Sequence, residues 1–212
     1  VGVIAGLLSS ARVAFPTGDA QAKLGAQHQP IALGAMEGRF VSGGRAGIHL
    51  IGQPNVAEKR IDNPISVPRV LSFLAYGSFD ANVAGLDQFP QDQWPTQIEL
   101  LYYAFHVMVG LGTLFLALMG LALLLLVTKR LERTKPMLWA LMLAWPFPYI
   151  ANTAGWMAAE LGRQPWLVYG LMRTADGHSP TVHAGSTLFT TLGFMGLYLA
   201  VGLCFVLLMA RE

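Results

Sequence analysis

Cysteine is almost missing from this 212-residue chain: Cys204 stands alone, in an apolar run. A single cysteine excludes an intrachain disulfide. The lack of a Cys-x-x-Cys-His run argues against covalent heme c. Charge is scarce too. Asp, Glu, Lys and Arg make up 12% of the residues, about half the share of an ordinary soluble domain. The charges nearly cancel at a net +2, and no basic block is long enough to suggest nucleic acid. No glycine-rich nucleotide motif occurs, and no Ser/His/Asp set can be argued. The chain opens on Val1, without the charged start or the cleavage site of a signal peptide.

What remains is apolar. Hydrophobic residues make up 54% of the chain, and they fall in blocks. A bilayer span needs about 20 of them in succession. The reading is an all-α integral membrane protein: a bundle of three full transmembrane helices plus the end of a fourth, with a long irregular outer loop. Residues 1–15 are too few to span and read as the end of a helix continuing from further protein, with Arg12 near its outer end. Residues 16–97 form the loop, which is punctuated at Gly43-Gly44, Gln53-Pro54, Asn63-Pro64, Val67-Pro68 and Trp94-Pro95. Short helices are expected over 29–39, with Pro30 at the first position, and over 68–76. Residues 98–212 carry the three spans: about 98–128, about 137–161 with a kink at Pro146 and Pro148, and about 183–209.

Lys129, Arg130, Arg133 and Lys135 crowd one short connection, which marks it as cytoplasmic. The long loop and the Glu160 end of the third helix then share the outer side. Met108 lies roughly ten residues inside the second helix, about 15 Å from its outer end at 1.5 Å per residue.

The apolar run from Met137 to Ala159 carries no charge and ends in Trp156, Glu160 and Arg163, followed by Pro165. Spacings of three and four place the three side chains on one helix face. A carboxylate and a guanidinium at a membrane edge point to function, because burying either costs about 2.5–3.5 kcal/mol on insertion scales. The alternative is an interfacial ion pair that anchors the helix.

These residues carry a resemblance. Trp156-x-x-x-Glu160-x-Gly162-Arg163-Gln164-Pro165-Trp166 resembles a run found in the large subunit of cytochrome bd-type quinol oxidases. Two further matches precede it in the family's order. One is Phe105-His106-Val107-Met108-Val109-Gly110-Leu111-Gly112; the other joins Gly18-Asp19, Gln29-Pro30 and Ala35-Met36-Glu37-Gly38. The resemblance implies the C-terminal half of subunit I, of the short-loop, cyanide-insensitive branch. In that family Met108 corresponds to an axial ligand of the low-spin heme b, and a methionine opposite a histidine raises a heme's potential. Glu160 corresponds to the carboxylate ligand of the high-spin heme b. Arg163 would pair with heme propionates, its fork suiting carboxylates, and Trp156 would pack between hemes. His106 points about 200° away from Met108 around the helix; it is expected to be satisfied by a propionate or a backbone carbonyl. Glu37 corresponds to the proton acceptor of the quinol-binding loop. Many relatives carry a lysine five residues earlier, where this chain has Ala32, and His28 and Gln29 are the possible substitutes. His49, His178 and His183 match no motif and read as loop or interfacial residues.

The implied activity is quinol:dioxygen oxidoreduction in the cytoplasmic membrane of a bacterium or archaeon. It would use a low-spin heme b, a high-spin heme b and a third heme, d or b. The implied partners are the N-terminal half of the large subunit, on the same or a separate chain, and a smaller second subunit. Membrane lipid, quinol and dioxygen complete the set. The rival readings are a heme b electron-transfer or quinol-binding module without oxygen reduction, and a heme-free structural subunit.

Overall fold

A computed structural model describes residues 2–12 and 16–211. Expectations for Val1, for residues 13–15 and for the Arg12 side chain lie outside the described residues. The chain divides into two compact units, Val1–Thr174 and Ala175–Glu212.

In the first unit, α1 (Gly2–Arg12) is followed by α2 (Gly18–His28) and α3 (Pro30–Met36). Then come β1 (Gly43–Gly44), β2 (Ile48–Asn55), β3 (Arg60–Val67), α4 (Val70–Tyr76) and β4 (Asn82–Val83). The helices α5 (Ile98–Val127), α6 (Lys135–Leu143) and α7 (Phe147–Gly162) precede the short strands β5 (Trp166–Val168) and β6 (Met172–Arg173). The second unit holds α8 (Ala184–Met209). Among the described residues, α5, at 30 residues, and α8, at 26, are long and apolar enough to cross a membrane. At 1.5 Å per residue, α5 spans about 45 Å, more than the ~30 Å hydrocarbon core.

Two expectations need correction. The third apolar run is two helices, α6 and α7, rather than one kinked helix. Pro146 and Pro148 have no N–H, and their rings clash with the carbonyls four residues back. The chain turns at Ala144–Pro146, where Phe147 N donates to Ala144 O at 3.0 Å. Helix α7 then starts with Pro148 in its first turn, where no donor is lost.

The outer loop, in turn, is not irregular. Residues 16–97 hold three helices and the antiparallel hairpin β2–β3, paired from Ile48↔Val67 to Asn55↔Arg60 with bulges between. Its turn is closed by the Asn55 side chain, whose Oδ1 accepts from Glu58 N at 3.0 Å. Lys59 takes a left-handed φ of 53° there. Helix α3 starts at Pro30, as the sequence suggests, but stops at Met36 because Gly38 turns the chain at φ +62°.

The core lies where the loop meets the helices. Ile31 and Ala35 of α3 pack with Phe40 and Leu86 on Ile98, Leu101 and Ala104 of α5 and Ala158 of α7. Each large side chain buried there contributes about 1.5–3 kcal/mol. Gly155, Ala158 and Gly162 stand at spacings of three and four and form a small-residue stripe on α7, which admits α5 closely. A Cβ on Gly162 would lie 3.6 Å from both Leu101 and the Ala32 methyl.

Candidate functional site

Glu37 caps the C-terminal end of α3, its N–H donating to Leu33 O at 3.0 Å. It is 6% exposed, and its Oε2 has no hydrogen-bond partner. Burial pushes its carboxyl up to about 7 against the opposing pull of Arg39. The hairpin forms a roof here. A Cβ on Gly38 would collide with Ile61 of β3 and lie 3.1 Å from the Tyr102 ring. A Cβ on Gly52 of β2 would lie 3.1 Å from the Tyr102 hydroxyl. Two glycines thus let the strand pair close over the loop end of α5. The Tyr102 hydroxyl, Arg39 Nε and His49 Nδ1 are also buried without partners. Burial, helped by the positive fields of His106 and Arg39, holds the His49 ring below its usual value.

His106 joins this roof to α5. Its Nδ1 lies 2.8 Å from Tyr102 O and its Nε2 lies 2.7 Å from His49 O. Carbonyl oxygens only accept, so the tautomer of the ring decides which of the two receives its N–H. The Tyr102 ring stacks on it at 3.9 Å.

The other expected residues stand on the helix pair. Met108 is half-buried on α5, at the level of Gly155, where a Cβ would come within 2.6 Å of its sulfur. On α7, Arg163 Nε donates to Glu160 Oε2 at 2.8 Å, and Nη2 reaches the same oxygen. The Glu160 side chain stays 41% exposed. Trp156, one turn earlier, is 69% exposed. The expected residues therefore form two groups: Glu37 with His106 under the hairpin, and Trp156, Glu160 and Arg163 at the open end of α7, with Met108 about 8 Å deeper by helix rise. Ala32 is buried against α7, while His28 and Gln29 are exposed. Tyr102, Arg39 and His49 were not singled out as site residues in the sequence. Tyr102 had a signal, since it lies four residues before His106 and so on the same face of α5.

Fold and site together define a helical protein with membrane-length helices, a roofed carboxyl at one end, and a thioether and a carboxylate on a packed helix pair. The whole chain, residues 1–212, matches the family described as cytochrome bd terminal oxidase subunit I. The chain belongs to that family. It is 34% identical over 220 residues to the cytochrome bd ubiquinol oxidase subunit 1 of Bacillus subtilis (strain 168), covering 99% of this chain and 47% of that one. A putative cytochrome bd menaquinol oxidase subunit I of the same organism is 34% identical over 187 residues, covering 86% and 41%. The solved bd oxidase from Geobacillus thermodenitrificans superposes with a TM-score of 0.78 at 28% identity, covering 97% of this chain and 47% of that one. The chain thus spans about half the length of the relatives it matches.

Proposed function

We propose that this chain forms the quinol-side half of the large subunit of a quinol-oxidising, dioxygen-reducing membrane oxidase. The observation that carries the reading is Glu37: a buried carboxyl, its Oε2 without a hydrogen-bond partner and its pKa pushed up to about 7, at the loop end of the helix that bears Met108. A group so tuned is suited to take a proton at neutral pH.

The donor set fits heme better than a bare ion. A bare ion needs several protein ligands, and among the described residues no three His, Cys, Asp or Glu side chains gather to hold one. Met108 and Glu160 stand singly on separate helices, and the open indole of Trp156 offers an apolar surface beside Glu160. Met108 would hold a low-spin heme b and Glu160 a high-spin heme b. Hemes so held would supply one-electron transfer between quinol and dioxygen. A third heme, d or b, would rest on other parts of the oxidase, as would the histidine opposite Met108. Arg163 holds Glu160 in place through its guanidinium, and its fork suits propionates. Glu37 accepts a quinol proton in a site from which its roof excludes water. Partners in this reading are the N-terminal half of the large subunit and a smaller second subunit. The setting is a bacterial or archaeal cytoplasmic membrane crossed several times, with the 129–135 connection inside. The two Bacillus relatives are named for ubiquinol and menaquinol, so the substrate class proposed is quinol.

A reduced-minus-oxidised spectrum of the assembled oxidase tests the reading. Heme b bands with a red band from heme d are expected. Heme b bands without oxygen consumption would favour an electron-transfer module, and a flat spectrum would make the chain a scaffold. Glu160→Gln is expected to perturb the high-spin heme and nearly abolish oxygen consumption; parental turnover in this variant would remove Glu160 from the ligand set. Arg163→Lys keeps the charge but not the fork, and activity should drop about 10–100-fold, as for other lost partners of ligating groups.

A further inference from the structure

We propose that His106 is a positioning residue for the Glu37 site: it clasps hairpin β2–β3 to α5 and so holds the roof over the carboxyl. The inference rests on the proposed function only for what Glu37 does, not for the clasp itself. Its basis is one ring wedged between two backbone carbonyls. Nε2 lies 2.7 Å from His49 O on β2 and Nδ1 lies 2.8 Å from Tyr102 O on α5, so His49 and His106, 57 residues apart in the chain, meet through one side chain. Stacking on Tyr102 at 3.9 Å fixes the plane of the ring on α5. The hairpin-side bond then sets the height of β2. That height matters because the roof is made by close approach: Gly52 faces the Tyr102 hydroxyl, and Ile61 covers Gly38 beside Glu37. A hairpin free to lift would admit water to a carboxyl that is 6% exposed, and Glu37 would behave as an ordinary solvated glutamate. A packing aromatic at position 106 fills the space without making either bond, so the arrangement distinguishes a clasp from a filler.

The test uses the complete oxidase in detergent and reads the roof directly. A water-soluble carbodiimide labels accessible carboxyls, and peptide mass spectrometry gives the ratio of labelling at Glu37 to that at Glu58, an exposed glutamate in the hairpin turn. In His106→Phe the ratio should rise about tenfold, the opening that hydrogen bonds of ordinary net strength hold closed. His106→Asn, too short to reach both carbonyls, should behave the same way and covers the case in which the phenylalanine variant does not assemble. His106→Gln offers two donor hydrogens on a longer arm and should return the ratio toward that of the parent. Quinol KM should rise more than kcat falls in the Phe and Asn variants, and rescue should follow in Gln. An unchanged labelling ratio in the Phe or Asn variant overturns the clasp, as does an equal rise in all three. A raised ratio with unchanged quinol KM keeps the clasp and instead removes Glu37 from quinol oxidation, so the two readings fail separately.

Discussion

Glu37→Gln is expected to cut quinol-driven oxygen consumption by about 10²–10⁴-fold, the usual contribution of a positioned proton acceptor. Turnover with artificial one-electron donors should stay at the parental level, because those donors release no proton at the site. The same variant should change how stability depends on pH. In the unfolded chain the carboxyl titrates near 4.5, whereas burial moves it to about 7 in the fold. Below pH 4.5 both states hold the proton, and the group is neutral to stability. Between 4.5 and 7 the unfolded chain loses its proton while the fold retains it, so stability falls as pH rises. Above 7 the full cost is present, on the order of 3 kcal/mol at 1.36 kcal/mol per pH unit. Glutamine, which does not titrate, should remove that slope and leave the variant more heat-stable than the parent at pH 8. Parallel melting curves of the two proteins from pH 5 to 8 would show instead that Glu37 is not held protonated. The parental rate of quinol oxidation should also climb as pH passes through about 7, because only the ionised carboxyl accepts; the glutamine variant should show no such inflexion.

Met108→Leu is expected to remove the low-spin heme signal while the protein still inserts. Leucine nearly conserves volume, so packing on α7 should suffer by less than about 1.5 kcal/mol, but it offers no lone pair to iron. Retention of the low-spin spectrum would make Met108 a packing residue. The glycine opposite provides an independent check. A side chain at Gly155 would press on the Met108 sulfur, where even a Cβ comes within 2.6 Å. Gly155→Val is therefore expected to shift or weaken the same low-spin band without replacing a donor atom. A band unchanged in position and intensity would separate the sulfur from the heme.

Some of this was legible in the sequence, and the divide follows the range of the forces involved. The helices α5 and α8 are long uninterrupted apolar runs, and the Glu160–Arg163 pair depends only on a spacing of three. Pro30 announced the start of α3, and Pro146 with Pro148 announced a disturbance in the third run, though not its size. The hairpin was hidden because Pro54 and Pro64 sit inside its strands, where proline argues against a strand. With the hairpin unseen, the surroundings of Glu37 were unseen as well. Arg39, His49 and Tyr102 come from a loop, a strand and a helix far apart in the chain, and only the closing of β2–β3 gathers them. His106 illustrates the point most clearly. Its distance from Met108 around the helix could be computed, but its partner on β2 is set by a tertiary contact that no local spacing encodes.

The break between α6 and α7 also constrains whatever lies alongside it. Proline at 146 cannot donate to the Met142 carbonyl, whereas the Ala144 carbonyl is taken by Phe147 N at 3.0 Å. In the proposed setting this turn lies roughly 15 Å from the 129–135 connection at 1.5 Å per residue, deep in the hydrocarbon, where acyl chains offer no hydrogen bonds. A neighbour packed against this bend must therefore bring a hydroxyl, an amide or a lodged water to that depth, and an all-aliphatic helix face would be the wrong surface for it.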